Sequence, residues 1–167
     1  MVRYLRERSY RQALQLHRYV VIQIDTDIAH DLGVTRPDGL TDEQFIERVV
    51  AKLCACIAPE DLAAVRPRLL FAIGLDEIEC WLLPLVFDRS EKKFLEKATG
   101  CLEAINHRLR TSKEVPLSTQ ANGKDPRRYD RVSAPLRQQK KLENAATNPG
   151  FVRFLEELGR CILDPPV

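Results

Sequence analysis

Apolar positions in this chain follow two different rhythms. Two short runs are nearly continuous, residues 19–24 (Tyr-Val-Val-Ile-Gln-Ile) and residues 68–73 (Arg-Leu-Leu-Phe-Ala-Ile). Runs of this length, rich in β-branched and aromatic side chains, predict strands buried on both faces, as in a parallel sheet covered by helices. Elsewhere apolar residues recur every three or four positions, the period of an amphipathic helix. Residues 2–17 carry an imperfect stripe of Leu5, Tyr10, Ala13, Leu14 and His17, with most arginines off it. Thr41-Asp-Glu-Gln44 has the form of a capping box and opens a helix through Phe45, Ile46, Val49, Val50, Leu53 and Ile57. Pro59 opens a short helical turn to Val65, and the spacing predicts further helices over 76–86, 91–97, 101–109, 126–136 and 138–146. Asn148-Pro149 reads as an N-cap followed by proline at the first helical position, starting a last helix through Phe151, Phe154, Leu155, Leu158 and Ile162. Gly33, Pro37, Asp38 and Gly39 punctuate residues 28–40 as a loop.

From residue 19 the order is strand, helix, strand, helix, which favours a parallel α/β unit with a right-handed crossover. The expected architecture is one domain over 1–167: an α/β core in 1–88 and a helical, basic part in 89–167. A length of 167 residues suits one core rather than two. Two strands do not make a doubly wound sheet, and both would keep open edges. The sheet is therefore expected to be incomplete, to be finished by weaker strands, by another chain or by sequence before Met1.

Composition narrows the class without naming a function. Apolar residues make up 44% and charged residues 30%, and no apolar run is long enough to span a bilayer. The charged start, Met-Val-Arg-Tyr-Leu-Arg-Glu-Arg, lacks the apolar segment of a secretion signal. Cys54, Cys56, Cys80, Cys101 and Cys161 are odd in number and lie mostly in apolar helical patterns, so they are expected to be reduced thiols of a cytoplasmic protein. Cys54 and Cys56, two apart on a helix with no histidine close by, do not suit a zinc site. The net charge of +2 implies no particular partner, but its distribution is uneven. Acids crowd residues 25–61, whereas 108–141 carry Arg108, Arg110, Lys113, Lys124, Arg127, Arg128, Arg131, Arg137, Lys140 and Lys141. An acidic pole for cations beside a basic pole for phosphates suits a metal-dependent nucleic-acid enzyme; solvated helix faces are the plainer explanation.

Two acidic clusters carry the candidate chemistry. Asp25 and Asp27 follow the first strand, where ligands bind in open parallel sheets, and two such close carboxylates call for a cation between them unless both are merely solvated. Asp76, Glu77 and Glu79 follow the second strand. Helix-dipole stabilisation accounts for Asp76 and could account for Glu77. Glu79, among Ile78, Leu82 and Leu83, points toward apolar surface, where a charge must be paired or metal-bound. Together the acids suit Mg²⁺ or Mn²⁺. Trp81 reads as a core anchor, and His30 as a loop histidine that could ligate or shuttle protons.

Three places together resemble the Toprim-like proteins, the metal-dependent domain shared by topoisomerases, primases and the overcoming-lysogenization-defect nucleases, and more narrowly a bacterial group of Toprim-related proteins associated with phage defence. They are the first strand with Asp25-Thr-Asp27, the second with Glu77-Ile-Glu79-Cys-Trp81-Leu-Leu, and Lys124-Asp-Pro126 with the closing Asn148-Pro-Gly-Phe151…Phe154-Leu155 helix. The resemblance covers most of the chain from Tyr19 and implies a helix-rich, Rossmann-like parallel sheet with a helical C-terminal half. It further implies a nuclease or nuclease subunit hydrolysing phosphodiester bonds of DNA or RNA, with Asp25, Asp27 and Glu79 holding Mg²⁺ or Mn²⁺ and Glu77 and Glu79 as catalytic acids. Lys124, Arg127 and Arg128 are the candidates for gripping the nucleic-acid backbone. A Toprim domain opens with a strand ending in a catalytic glutamate, and only about eighteen residues precede the first strand here. Glu7 sits among arginines in a helical pattern and is not assigned that role. The chain then reads as a truncated product, half of a split domain, or a non-catalytic relative that completes its sheet with a partner protein or in a homo-oligomer.

Overall fold

The computed structural model describes residues 1–95, 100–119 and 123–163. Its packing divides the chain into two compact units, Met1–Leu75 together with Pro149–Val167, and Asp76–Asn148. The second unit is thus an insertion into the first, and the division expected at residue 88 falls inside it.

The first unit is mixed α/β. Strand β1 (Val20–Asp25) runs parallel to β2 (Leu69–Gly74), in register from Val20↔Leu69 to Asp25↔Gly74. The expected helix over 2–17 is two helices, α1 (Val2–Arg6) and α2 (Ser9–Leu16), because Arg8 adopts a left-handed φ of 59° between them. A 3₁₀ helix (Thr26–Leu32) follows β1, then α3 (Asp42–Cys54), α4 (Pro59–Val65) and a single 3₁₀ turn lead into β2. Thr41 caps α3 as its sequence requires: its hydroxyl accepts the Gln44 N–H while the Gln44 side chain accepts the Thr41 N–H. Phe45, Ile46, Val49, Val50 and Leu53 then point inward, and burying each such side chain contributes roughly 1.5–3 kcal/mol before entropy is counted.

The two strands are not buried alike. All six residues of β2 are buried, as expected. β1 alternates, with Ile22 and Ile24 in the core and Val21 and Gln23 exposed. The expectation of burial on both faces fails for β1: the face carrying Val21 and Gln23 is exposed, whereas β2, in the same two-stranded sheet, is covered on both faces.

Helix α10 (Pro149–Leu163) packs against β2 and α3. Glu157 on this helix is 1% exposed and accepts the Phe71 amide of β2 at 2.7 Å. Arg66 and Arg153 pair with the same carboxylate at 2.6 and 3.3 Å. A buried anion is thereby compensated by two cations and a main-chain donor, which fixes α10 along the strand.

In the second unit the expected helix over 76–86 is interrupted. Asp76 has φ 61°, a 3₁₀ helix (Ile78–Leu82) follows, and only α5 (Leu83–Val86) is α-helical. Pro84 at the start of α5 lacks the N–H that a continuous helix would use, so the helix restarts there. Helices α6 (Lys92–Leu95) and α7 (Cys101–Thr111) come next. The stretch read as a polar gap holds a small antiparallel pair, β3 (Ser118–Thr119) with β4 (Gly123–Lys124). Helix α8 (Pro126–Ser133), a 3₁₀ turn and α9 (Gln139–Ala145) complete the unit. Its core is built from Leu82, Leu83, Phe87, Ala104, Ile105, Leu109 and Leu117.

Cys80 and Cys101 are joined in a disulfide, which corrects the expectation that all five cysteines are reduced; Cys54, Cys56 and Cys161 are free thiols. The 3₁₀ helix packs on the start of α7 and brings two Cα atoms 21 positions apart in sequence to 5.1 Å. No helix among the described residues is long and apolar enough to cross a membrane.

Candidate functional site

Each acidic cluster has a defined setting in its own unit. In the first, Asp25 ends β1 opposite Gly74, the last residue of β2, so Asp25-Thr26-Asp27 leaves the sheet at its carboxyl end. The chain turns there into the 3₁₀ helix, with Asp25 still extended at φ −93°, ψ 139°. Asp25 is half-buried and accepts a hydrogen bond from Gln23 Nε2 at 2.8 Å, while Asp27 is exposed. His30 lies close to the Asp27 carbonyl (3.1 Å) and to the Asp31 carboxylate (3.1 Å).

The chemistry of the Asp25 and Asp27 donors fits a hard divalent cation. Mg²⁺ keeps most of its water and is commonly held by one or two carboxylates plus substrate phosphate. Among the described residues no three His, Cys, Asp or Glu side chains converge into a ready-made cage, so these two would hold an ion that stays largely hydrated.

In the second unit Glu79 is 1% exposed, as its apolar neighbours in sequence require. Its Oε1 lies 2.7 Å from Lys124 Nζ and accepts the Tyr129 hydroxyl. Burial pushes the carboxyl pKa up, but the bonds from Lys124 and Tyr129 outweigh it and hold the group below its ordinary value. Glu79 Oε2 is buried without a hydrogen-bond partner, an acceptor left for a cation or a water. Glu77 precedes the 3₁₀ helix without capping it by its side chain; its carboxylate accepts the Leu102 amide at the start of α7 (2.9 Å). The disulfide between Cys80 and Cys101 lies beside both acids in sequence, so one cross-link fixes the segment that carries them.

The three candidate phosphate-binding cations have separate fates. Lys124, on β4, is tied to Glu79. Arg128, on α8, donates to the Pro116 carbonyl (2.8 Å) and pairs with Asp125 (3.1 Å), which ties the helix to the segment before β3. Arg127 is exposed and forms no side-chain ion pair among the described residues. The β3–β4 pair is positioned by buried Asn106, whose Oδ1 accepts the Leu117 amide at 2.7 Å and whose Nδ2 donates to Ser118. Asp125 caps α8 by accepting the Arg127 amide at 3.0 Å.

Sequence reading missed Tyr129 and Asn106. Tyr129 lies five residues after Lys124 in Lys-Asp-Pro-Arg-Arg-Tyr, and its partner Glu79 is fifty residues away; no spacing rule links them. Asn106 falls on the buried face of α7 with Cys101, Ile105 and Leu109, and a polar residue at a core position was the available signal. Comparison of the chain with protein-family models, with curated proteins and with solved structures finds no match.

Proposed function

We propose that the chain is a Toprim-like, divalent-metal-dependent nuclease subunit that hydrolyses phosphodiester bonds in nucleic acid. The observation that supports this most is the position of Asp25-Thr26-Asp27 at the carboxyl end of a parallel strand pair, where open α/β sheets bind their ligands. Asp25 and Asp27 are the proposed ligands of Mg²⁺ or Mn²⁺, which when bound supplies polarisation of the phosphoryl oxygen and an activated water. Arg127, exposed at the start of α8, is the proposed contact to the nucleic-acid backbone, with Lys124 oriented by the buried Glu79 carboxylate.

The test is cleavage of single- and double-stranded DNA and RNA by the pure protein with and without Mg²⁺ or Mn²⁺, alongside calorimetric titration of the metal. Cleavage that requires the metal and is lost in Asp25→Ala and Asp27→Ala is expected. Absence of metal binding, or cleavage that survives both substitutions, defeats the proposal.

A second reading, a non-catalytic subunit that completes its sheet with a partner, draws support from Lys124 already neutralising Glu79 and from the open edge of β1. It is favoured if the protein binds nucleic acid or a partner chain and cleaves nothing.

A further inference from the structure

The outer edge of β1 is the least finished part of the first unit. β1 pairs with β2 on one side and with no strand on the other among the described residues. Proteins normally cover or charge such an edge, because its free N–H and C=O groups template pairing with another chain. Residues 20–24 carry no charged side chain, and Val21 is 54% exposed. The other large apolar side chains exposed nearby in sequence are Leu16 (77%), just before the strand, and Ile28 (44%), just after it.

We propose that this edge pairs with β1 of a second copy of the chain, antiparallel about a two-fold axis, to give a continuous four-stranded sheet in the order β2-β1-β1-β2. The charge pattern of the segment selects this occupant. His17 and Arg18 precede the strand and Asp25 and Asp27 end it; antiparallel pairing sets the basic end of each copy against the acidic end of the other. A parallel neighbour would set like charges together.

Residue parity then limits the register. Residues directly opposite in an antiparallel pair point to the same face, and a two-fold axis normal to the sheet keeps the core face of both copies on one side. Only registers that set a residue against itself or against one an even number of positions away meet both conditions. Centring on Ile22 and centring on Gln23 give equal overlaps of β1 with itself; only the first keeps Asp25 out of the ladder, with Val21 opposite Gln23 and Val20 opposite Ile24. The same symmetry turns the Leu16 end of one copy toward the Ile28 end of the other, and brings Arg18, just before the strand, to the end where Asp25 and Asp27 leave it. Both Val21 side chains and both ends of the segment gain cover from one operation, as an isologous interface requires.

The mass of the full chain in solution, by sedimentation or light scattering, tests this separately from any cleavage assay. Wild type is expected at twice the 19.1 kDa chain mass at tens of micromolar concentration. Val21→Lys, Arg18→Asp and Asp27→Arg are each expected to weaken the dimer by about tenfold or more: Val21→Lys sets two lysines on the diagonal across the two-fold axis, and each of the others sets like charges together at the ends of the ladder. Helical circular dichroism unchanged from wild type confirms that these variants fold. Equimolar Arg18→Asp and Asp27→Arg chains restore both cross-strand charge pairs in a heterodimer, and their mixture is expected to regain the doubled mass that neither shows alone. A monomeric wild type, a dimer indifferent to all three substitutions, or a mixture that stays monomeric overturns the proposal. Cleavage is compared in Val21→Lys, which alters no proposed metal ligand: loss of the dimer with cleavage intact, or the reverse, separates this interface from the nuclease reading.

Discussion

Asp61 shows how one side chain converts local sequence into stability. It is only 8% exposed, on the first turn of α4, and it accepts the Tyr10 hydroxyl at 2.7 Å and Arg11 Nε at 2.8 Å. A second Arg11 nitrogen bonds its other oxygen, and Arg8 stands 3.9 Å away. These donors favour the ionised form: the bonds from Arg11 and then Tyr10 bring its pKa down from 3.8 to about 2. Burial, and then the Asp61 carboxylate, raise that of Tyr10, so the hydroxyl keeps its proton. Because the folded-state pKa lies below the unfolded one, the stabilisation is complete above about pH 4 and is lost as pH falls through about 2. Denaturant unfolding of Asp61→Asn is therefore expected to show a deficit against wild type that is constant at neutral pH and shrinks between those limits. A deficit independent of pH down to 2 would mean that the charge of Asp61 contributes nothing.

At the scale of elements, short segments are held by cross-links that their own propensity does not supply. The 3₁₀ helix at Ile78–Leu82 is too brief to be stable alone. It is anchored by the disulfide from Cys80 to Cys101 and by the bond from Glu77 to the Leu102 amide. Closing a loop of this length stabilises a fold by about 3 kcal/mol in the chain-entropy description. Reductant is accordingly expected to lower the denaturation midpoint. A thiol count in denaturant is expected to give three reactive groups without reductant and five with it. Five without reductant would show that the bond does not form. The same logic applies to the β3–β4 pair, two residues per strand, which Asn106 holds in place through the Leu117 amide.

The whole molecule is organised by an insertion. The first unit takes its last helix from the far end of the chain, so β2 is covered only after the second unit has been made. Phe151 and Cys161 bury on this helix, Glu157 receives the Phe71 amide, and the Tyr19 hydroxyl donates to the Cys161 carbonyl at 2.6 Å. A chain ended at Asn148 would expose β2, the most buried strand, take the carboxylate partner from Arg66 and leave that amide without its acceptor. Such a truncation is expected to lose cooperative unfolding of the first unit, with aggregation through the bared sheet. A truncated chain that keeps the wild-type melting transition would show α10 to be dispensable.

The parts legible in the sequence are those fixed by neighbours within one or two turns. The capping box at Thr41 and Gln44, the amphipathic stripe of α3 and the apolar run of β2 all follow from such local rules, and so does the burial of Glu79 among Ile78, Leu82 and Leu83. The position of Asp25 and Asp27 at the end of a strand follows equally from the β-branched run before them. What tertiary structure alone decided depends on partners distant in the chain. β1 becomes an exposed edge because no third strand arrives beside it among the described residues. Glu79 is neutralised by Lys124 and Tyr129, forty-five and fifty positions away, and Cys80 meets Cys101 only because one short helix packs on another. Glu157 lies off the stripe of Phe151, Phe154, Leu155, Leu158 and Ile162, so neither its burial nor its pairing with Arg66 and the Phe71 amide could be read from the sequence; both depend on how α10 rotates against groups distant in the chain.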